Sequence, residues 1–268
     1  MTSVPSPPTL AVEVRDLVAS YGARRILDGV SMEVGYGEIM VIMGGSGSGK
    51  STLLRHLLAL KTPTSGSVRI LGQDPFRCSA EERYRLRQNM GVSFQGGALL
   101  SSLTVGENVA LPLREHTSLD ETTIQIMVRL KLEVVNLGGF EHLYPAQLSG
   151  GMIKRAALAR AIAMDPKLLF FDEPSAGLDP VVSSELDDLI LKLRDSLRMT
   201  IVVVTHELES AFKIADRITV LDHGRILIQG DAAMVRNSSI ERVQDLLQRR
   251  SRPLALSADD YLRRLTSA

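Results

Sequence analysis

A glycine-rich stretch between an apolar run and a helix-forming segment has the most specific spacing in this sequence. It reads Gly44-Gly45-Ser46-Gly47-Ser48-Gly49-Lys50-Ser51 and is followed by Thr52. Glycines let the backbone approach phosphate oxygens closely, so that consecutive N–H groups and the next helix N-terminus point at an anion. A flexible Gly/Ser loop would share this composition, but it would not need a strand before it and a helix after it. The stretch therefore predicts a site for the phosphates of a nucleotide.

The spacing fits the P-loop pattern G-x-x-x-x-G-K-[ST] at every fixed position. In such a loop Lys50 reaches the β- and γ-phosphates, and the Ser51 hydroxyl is a ligand for Mg²⁺. A second candidate group, Asp172 and Glu173, ends the apolar run 168–171. Acids at the carboxyl end of a buried strand lie beside the ligand in α/β folds, although solvated acids at a strand end are common too. With a P-loop upstream, Asp172 is predicted to hold Mg²⁺ and Glu173 to be the general base for the attacking water.

Alternating strands and helices position these residues. Apolar or alternating runs predict strands at 10–17, 26–27, 30–34, 39–43, 67–71, 91–95, 167–171 and 200–204, a hairpin at 217–229, and helices at 51–60, 81–88, 181–194 and 207–215. From about 98 to 164 the segment predicts several helices, with a capping-box pattern at Thr104 and Glu107. We expect an α/β fold: a P-loop NTPase (RecA-like) core with a mostly parallel sheet, an N-terminal antiparallel β part and an inserted α-helical subdomain.

The composition excludes several classes of protein. Of 268 residues, 44% are hydrophobic and 23% charged, and Lys+Arg and Asp+Glu both number 31, which argues against bulk nucleic-acid binding. Cys78 is the single cysteine, so no intrachain disulfide forms and a reducing compartment is the simplest assumption. No apolar run approaches the roughly 18 residues that span a bilayer, and the N-terminus lacks the pattern of a signal peptide. We expect a protein that does not itself cross a membrane.

Further motifs stand in a fixed order around the P-loop and the two acids. The stretch Leu148-Ser149-Gly150-Gly151-Met152 is similar to the LSGGQ signature of the ATP-binding cassette (ABC) ATPases. Ser175-Ala176-Gly177-Leu178-Asp179 resembles that family's D-loop, Gln95 its Q-loop glutamine, His206 its switch histidine and Tyr21 its adenine-stacking aromatic residue. The resemblance covers residues 10 to about 232, which we expect to form one ABC ATPase domain, with the helical subdomain inserted at about 98–164.

The resemblance implies the cofactors and the roles of the site residues. ATP and Mg²⁺ bind at the P-loop, with Ser51, Gln95 and Asp172 as the metal ligands. Ser149, Gly150 and Gly151 contact the γ-phosphate bound by the P-loop of a second copy, so ATP is buried in a homodimer. Gln95 also contacts the attacking water, and His206 donates to the γ-phosphate. An isolated monomer is then expected to hydrolyse ATP poorly.

One position departs from the common signature, because Met152 stands where glutamine is usual. A thioether cannot replace an amide's two donors, so any contact of the glutamine to nucleotide is lost or supplied otherwise. LSGGM together with Asn108–His116 resembles one branch, the ATPases of MCE-type lipid transporters, including the maintenance-of-lipid-asymmetry (Mla) systems. That branch implies integral membrane permease subunits, an MCE-type substrate-binding protein, a small accessory protein and no nucleic acid. It places the chain peripherally on the cytoplasmic face of the bacterial inner membrane.

Two alternatives remain open from the sequence. Within transporters, the ATPase of an importer for polar amino acids or other small solutes has a similar cassette. In a different class, a soluble ABC ATPase that is not a transporter would act on nucleic acid, ribosomes or cluster assembly. Such proteins usually carry two cassettes or long coiled-coil insertions, and this chain shows neither.

Residues 233–268 predict a C-terminal helical extension. Val243, Leu246 and Leu247 share one face of its first helix, and a last short helix would carry Tyr261, Leu262 and Leu265. So short a helix is marginal alone in water, so it either docks on a surface such as the partner protomer or frays.

Overall fold

The computed structural model describes residues 10–248, which form nine strands, nine α-helices and one 3-10 turn at Pro145–Gln147. The strands are β1 (Leu10–Tyr21), β2 (Arg24–Gly35), β3 (Ile39–Met43), β4 (Ser65–Ile70), β5 (Met90–Ser93), β6 (Leu168–Asp172), β7 (Thr200–Thr205), β8 (Arg217–Asp222) and β9 (Arg225–Gly230). The helices are α1 (Lys50–Leu57), α2 (Ala80–Gln88), α3 (Val105–His116), α4 (Glu121–Val134), α5 (Gly150–Ala161), α6 (Pro180–Leu197), α7 (Leu208–Ile214), α8 (Ala232–Arg236) and α9 (Glu241–Leu247).

A six-stranded sheet forms the centre of the molecule, in the order β5-β6-β7-β3-β8-β9. All its pairings are parallel except β8 with β9, which form the predicted hairpin. Strand β3 is buried on both faces, as expected for a central parallel strand with a continuous apolar sequence. Its odd-numbered residues pack into one hydrophobic core and Met40 and Ile42 into the other, so the sheet lies between two layers. The predicted parallel core is confirmed.

The predicted antiparallel part is a second sheet in the order β2-β1-β4, packed with α1 over one face of the central sheet. Strand β1 extends four residues beyond the strand predicted at 10–17, through Ser20 and Tyr21. In the structure Ser20 and Tyr21 still pair with Arg25 and Arg24, and the chain turns only at Gly22, whose φ is 58°. Tyr21 is therefore the last residue of a strand.

Helices α3 to α5 lie between β5 and β6 in the chain and form the predicted helical insertion. The capping box at its start is present: Glu107 N–H donates to Thr104 Oγ1 (3.2 Å) and Thr104 N–H to Glu107 Oε2 (2.7 Å). Buried Asn108 fixes the preceding loop, because its amide donates to the carbonyls of Leu100, Leu103 and Thr104. Helix α5 begins at Gly150, because Ser149 caps it.

The described part of the predicted C-terminal extension packs against the central core. Val235 of α8 and Val243 of α9 are fully buried in it, and Arg242 donates to both carboxylate oxygens of Asp222 (2.9 and 3.2 Å). The last predicted helix, at Tyr261 to Leu265, lies outside the described residues. Within residues 10–248, no helix has the length and apolar character that crossing a membrane requires.

Candidate nucleotide site

Four neighbouring parallel strands end at one edge of the central sheet, and each ends at a predicted site residue. Strand β5 leads to Gln95, β6 to Asp172 and Glu173, β7 to His206, and β3 to the loop of residues 44–49. Carboxyl ends of parallel strands share an edge, which is where α/β proteins bind ligands. The fold therefore brings together residues that lie more than a hundred positions apart in the sequence.

Close packing determines the path of the glycine-rich loop. A Cβ on Gly44 would lie 2.2 Å from the Leu221 carbonyl oxygen and 2.6 Å from Ser48 Oγ, so any larger residue would force the loop or its neighbours to move. Gly49, the residue before α1, has a φ of 111°, and a Cβ there would lie 2.7 Å from Leu27 Cδ2. These contacts shape the loop before any ligand is present, as an anion cradle requires.

The loop suits a phosphate group in its chemistry as well as its shape. Helix α1 has no side-chain cap at its N-terminus, so its first N–H groups remain for an anion. Ser48 Oγ is buried with no hydrogen-bond partner among residues 10–248, while Ser46 and Gly47 are exposed. Lys50 Nζ donates to the carbonyls of Gly44 (2.7 Å) and Gly45 (3.1 Å). These groups fit the phosphates of ATP.

Burial shifts the pKa values of the ionisable side chains around this loop. It lowers the pKa of the Lys50 ammonium, while the carboxylates Glu173 and Asp172 act in the opposite direction. Burial and then the neighbouring charge of Glu173 raise the pKa of Asp172. A cation between these acids and the phosphates would oppose the raised pKa of Asp172, because it stabilises the ionised carboxylate. The donor set, a hydroxyl at Ser51 and a carboxylate at Asp172, is the oxygen chemistry that Mg²⁺ prefers.

Glu173 is held at three points. Its N–H donates to the Val204 carbonyl (2.8 Å), and its Oε2 accepts from His206 Nδ1 (2.8 Å) and from the His206 N–H (3.3 Å). Its side chain is 13% exposed and its φ is 50°, in the left-handed region that non-glycine residues adopt rarely. The carboxylate is therefore fixed in position at the edge beside the loop.

Sequence reasoning missed Lys154 of α5. Its ammonium donates to the carbonyl oxygens of Gln95 and of Glu173, the latter at 3.3 Å. The side chain is buried, at 8% exposure, and burial lowers its pKa while Glu173 and Asp172 oppose the shift. Helical spacing could have revealed it, since residues three and four positions later, Ala157 and Leu158, are both buried.

The signature segment is exposed where the resemblance requires it. Ser149 and Gly150 lie on the surface, and Ser149 Oγ caps α5 by accepting from the Met152 N–H (3.3 Å). Gly151 packs against α6, because a Cβ there would lie 2.7 Å from Val182 Cγ1. Met152 is partly buried against the core, so its thioether has a packing role in place of the usual amide.

Tyr21 lies at the end of β1 and contacts Arg55 of α1, the helix that follows the glycine-rich loop. The residue is 41% exposed, with Lys61 Nζ 3.1 Å from the ring centroid and Arg55 Nη1 donating to the Tyr21 hydroxyl (3.2 Å). The cation–π contact places Lys61 over the ring face. An exposed aromatic ring backed by a cation is suited to stacking on a base.

The family model described as ABC transporter matches residues 27–176. Over 257 residues the chain is 40% identical to the intermembrane phospholipid transport system ATP-binding protein MlaF of Haemophilus influenzae, covering 95% of this chain and 97% of that protein. It is also 40% identical over 254 residues to the probable ribonucleotide transport ATP-binding protein mkl of Mycobacterium leprae, covering 94% and 73%.

Among solved structures, the chain resembles the dimeric ATP-binding cassette MJ0796 in a post-hydrolysis state bound to ADP and phosphate. The TM-score is 0.76 at 32% identity, over 82% of this chain and 98% of that one. The family match covers more than half of the sequence, and the relatives align over nearly all of it. The chain therefore belongs to the ABC transporter family and is an ATP-binding, ATP-hydrolysing cassette of that family.

Proposed function

We propose that this cassette powers a separate membrane permease that moves phospholipid, in a transporter of the MCE/Mla type. The support is the near full-length alignment with a phospholipid transport ATPase, at 97% of that protein's length, together with the LSGGM signature. The relative named for ribonucleotide transport aligns over 73% of its length. Phospholipid is the proposed cargo because the relative named for phospholipid transport aligns over the greater share of its own length.

For hydrolysis, the observation that matters most is the Glu173 carboxylate held by His206 at the edge beside the P-loop. Glu173 accepts the proton of the attacking water, and His206 and Gln95 orient the γ-phosphate and that water. Lys50 exchanges its two carbonyl contacts for the β- and γ-phosphates. Ser51, Asp172 and Gln95 would hold Mg²⁺, which supplies charge neutralisation.

Two copies complete the site in this proposal. Ser149 and Gly150 are exposed at the start of α5, where the Ser149 hydroxyl and the backbone N–H groups can bind an anion. A partner's P-loop, with its bound ATP, supplies the anion. Tyr21 stacks on the adenine, and the loop residues Gly44 to Thr52 surround the phosphates.

An apolar groove on the helical side is the proposed permease contact. It has a volume of about 620 Å³ and is lined by residues of α2, β5, α3 and α5, among them Tyr84, Leu111, Pro112 and His116, and by Phe94, which follows β5. Tyr84 Oη and His116 Nδ1 are 2.8 Å apart at this groove. Phe94 adjoins Gln95, so an occupant of the groove contacts the segment that leads directly to the nucleotide site.

The proposed organisation is an ABC ATPase domain at 10–232, with the helical subdomain at about 98–164, and an extension at 233–268. The cassette would work peripherally on the cytoplasmic face of the inner membrane, with an MCE-type substrate-binding protein and a small accessory protein as further partners.

Purification of the native complex from membranes, followed by mass spectrometry of its proteins and bound small molecules, tests the cargo and the partners together. We expect an integral membrane permease, an MCE-type protein and phospholipid enriched over a mock purification. Ribonucleotide or amino acid in place of phospholipid would overturn the lipid assignment. Ribosomes or DNA with no membrane protein would overturn the transporter assignment.

A further inference from the structure

Lys154 has an unusual environment for a lysine. It is the only lysine or arginine of residues 10–248 whose side chain is buried. Its two hydrogen-bond acceptors are the backbone carbonyls of Gln95 and Glu173. Burying an ammonium is costly, whereas an apolar side chain of similar length would fill the same space at little cost. Its contacts therefore point to a role beyond packing.

These contacts join three elements of the site. Lys154 lies on α5, the helix that begins beside Ser149 and Gly150, while Gln95 follows β5 and Glu173 follows β6. The loop after Gln95 also runs along α5, because Arg160 donates to the carbonyls of Gly97 (2.8 Å) and Ala98 (2.7 Å). Of these two basic residues, Lys154 is the one that also reaches Glu173.

We propose that Lys154 is a positioning residue for hydrolysis, whose ammonium holds the backbones of Gln95 and Glu173 in a fixed relation to the signature helix α5. Movement of α5, as when a partner's ATP binds at its start, is then transmitted to the general base. The proposal rests on the proposed role of Glu173 as that base. Because Lys154 contacts the Glu173 carbonyl and not the carboxylate, a side-chain substitution at 173 leaves the contact in place.

Replacing the ammonium by an apolar side chain of similar length tests the proposal. We expect Lys154→Met to lower kcat by about 10- to 100-fold, the scale of a misplaced catalytic group, with the KM for ATP within about threefold of wild type. Lys154→Arg keeps charged donors and is expected to recover at least about tenfold of that loss. Lys167→Met, which removes an exposed lysine just before β6, is the control and should keep the wild-type kcat.

A double substitution separates positioning from a general loss of structure. In a Glu173→Ala background the base is absent, so adding Lys154→Met should change the residual rate by less than about threefold. An unchanged kcat in Lys154→Met, no recovery by Lys154→Arg, or an equal further loss in the Glu173→Ala background would each overturn the proposal.

Thermal unfolding and equilibrium ATP binding establish that the variants are folded. If Lys154→Met does not fold, Lys154→Gln, with a neutral amide donor, is measured in the same two backgrounds under the same criteria. Wild-type turnover in Glu173→Ala alone would overturn the assignment of Glu173 as the base, and with it the proposal that Lys154 acts by positioning Glu173. None of these results bears on whether the cargo is phospholipid.

Discussion

The Nδ1 atom of His206 lies 2.8 Å from Oε2 of Glu173, and the His206 N–H donates to the same oxygen at 3.3 Å. Neighbouring strands β6 and β7 thus end in two side chains that contact each other beside the P-loop. The contact orients the carboxylate, and the left-handed backbone of Glu173 shows how tightly this position is defined.

The first prediction concerns the base. Glu173→Gln keeps the shape of the side chain but cannot accept a proton from water, so we expect turnover to fall by about 10²- to 10⁴-fold while ATP still binds. Phosphate release gives the rate, and equilibrium dialysis with labelled ATP gives the affinity. Normal hydrolysis by this variant would show that another group is the base.

The second prediction concerns the histidine that holds the base. His206→Ala leaves the carboxylate without its Nδ1 contact, so we expect kcat to fall by about 10- to 10³-fold with ATP affinity little changed. The exposed His142, replaced in the same way, serves as the control. Equal activity of the two alanine variants would contradict the proposed role of His206.

The parts of this site that are contiguous motifs can be predicted from the sequence, because the spacing of their residues along the chain is diagnostic. The P-loop and the Asp172-Glu173 pair are of this kind, and the structure places both at one sheet edge as expected. Contacts between distant segments could not be read in the same way. The pairing of Glu173 with His206, the burial of Lys154 and the contact of Gly151 with Val182 depend on how helices and strands pack.

Strand lengths show the same limit. Ser20-Tyr21-Gly22 has the composition of a break, yet β1 continues to Tyr21 because cross-strand pairing with Arg24 and Arg25 outweighs local propensity. Asp28-Gly29 likewise interrupts the apolar pattern between the two short runs predicted there, although β2 is one strand from Arg24 to Gly35. The lengths of β1 and β2 are therefore determined by pairing between the strands.

The third prediction uses two adjacent glycines with different surroundings. A Cβ at Gly44 would lie 2.2 Å from the Leu221 carbonyl oxygen, whereas at Gly45 the nearest atom, Leu246 Cδ2, is 3.6 Å away. Gly44→Ala should therefore lower the free energy of unfolding by about 1–3 kcal/mol, and Gly45→Ala by less than about 1 kcal/mol. Urea denaturation without nucleotide measures both. Equal losses would contradict the packing described for the loop.

The fourth prediction concerns the dependence of stability on pH. His56 is fully buried in α1, its Nδ1 lies 2.6 Å from the Lys61 carbonyl oxygen, and its Nε2 has no hydrogen-bond partner among residues 10–248. Burial lowers the pKa of this imidazole, and the hydrogen bond to Lys61 opposes the shift. Below about pH 6.5 the unfolded chain therefore binds a proton that the folded chain does not.

The stability contributed by neutral His56 is thus fully present above about pH 6.5 and is lost as the pH falls. The slope reaches at most about 1.4 kcal/mol per pH unit. Urea denaturation from pH 8 to 5.5 measures it. His56→Asn, which keeps an N–H donor and does not titrate, should flatten this dependence relative to wild type, and the exposed His142→Asn should not. An unchanged slope in His56→Asn would show that another group is responsible.

The central claim is that one P-loop is completed by the Ser149-Gly150-Gly151 segment of a second copy. It is tested most directly by the amount of ATP that stays bound through rapid gel filtration. In the Glu173→Gln background we expect about one ATP retained per chain, because a closed dimer encloses the nucleotide. Adding Ser149→Arg should abolish retention without changing the equilibrium affinity for ATP, because the substitution leaves the P-loop of every chain unchanged. Full retention in the Ser149→Arg variant would contradict the claim and show that each chain forms its site alone.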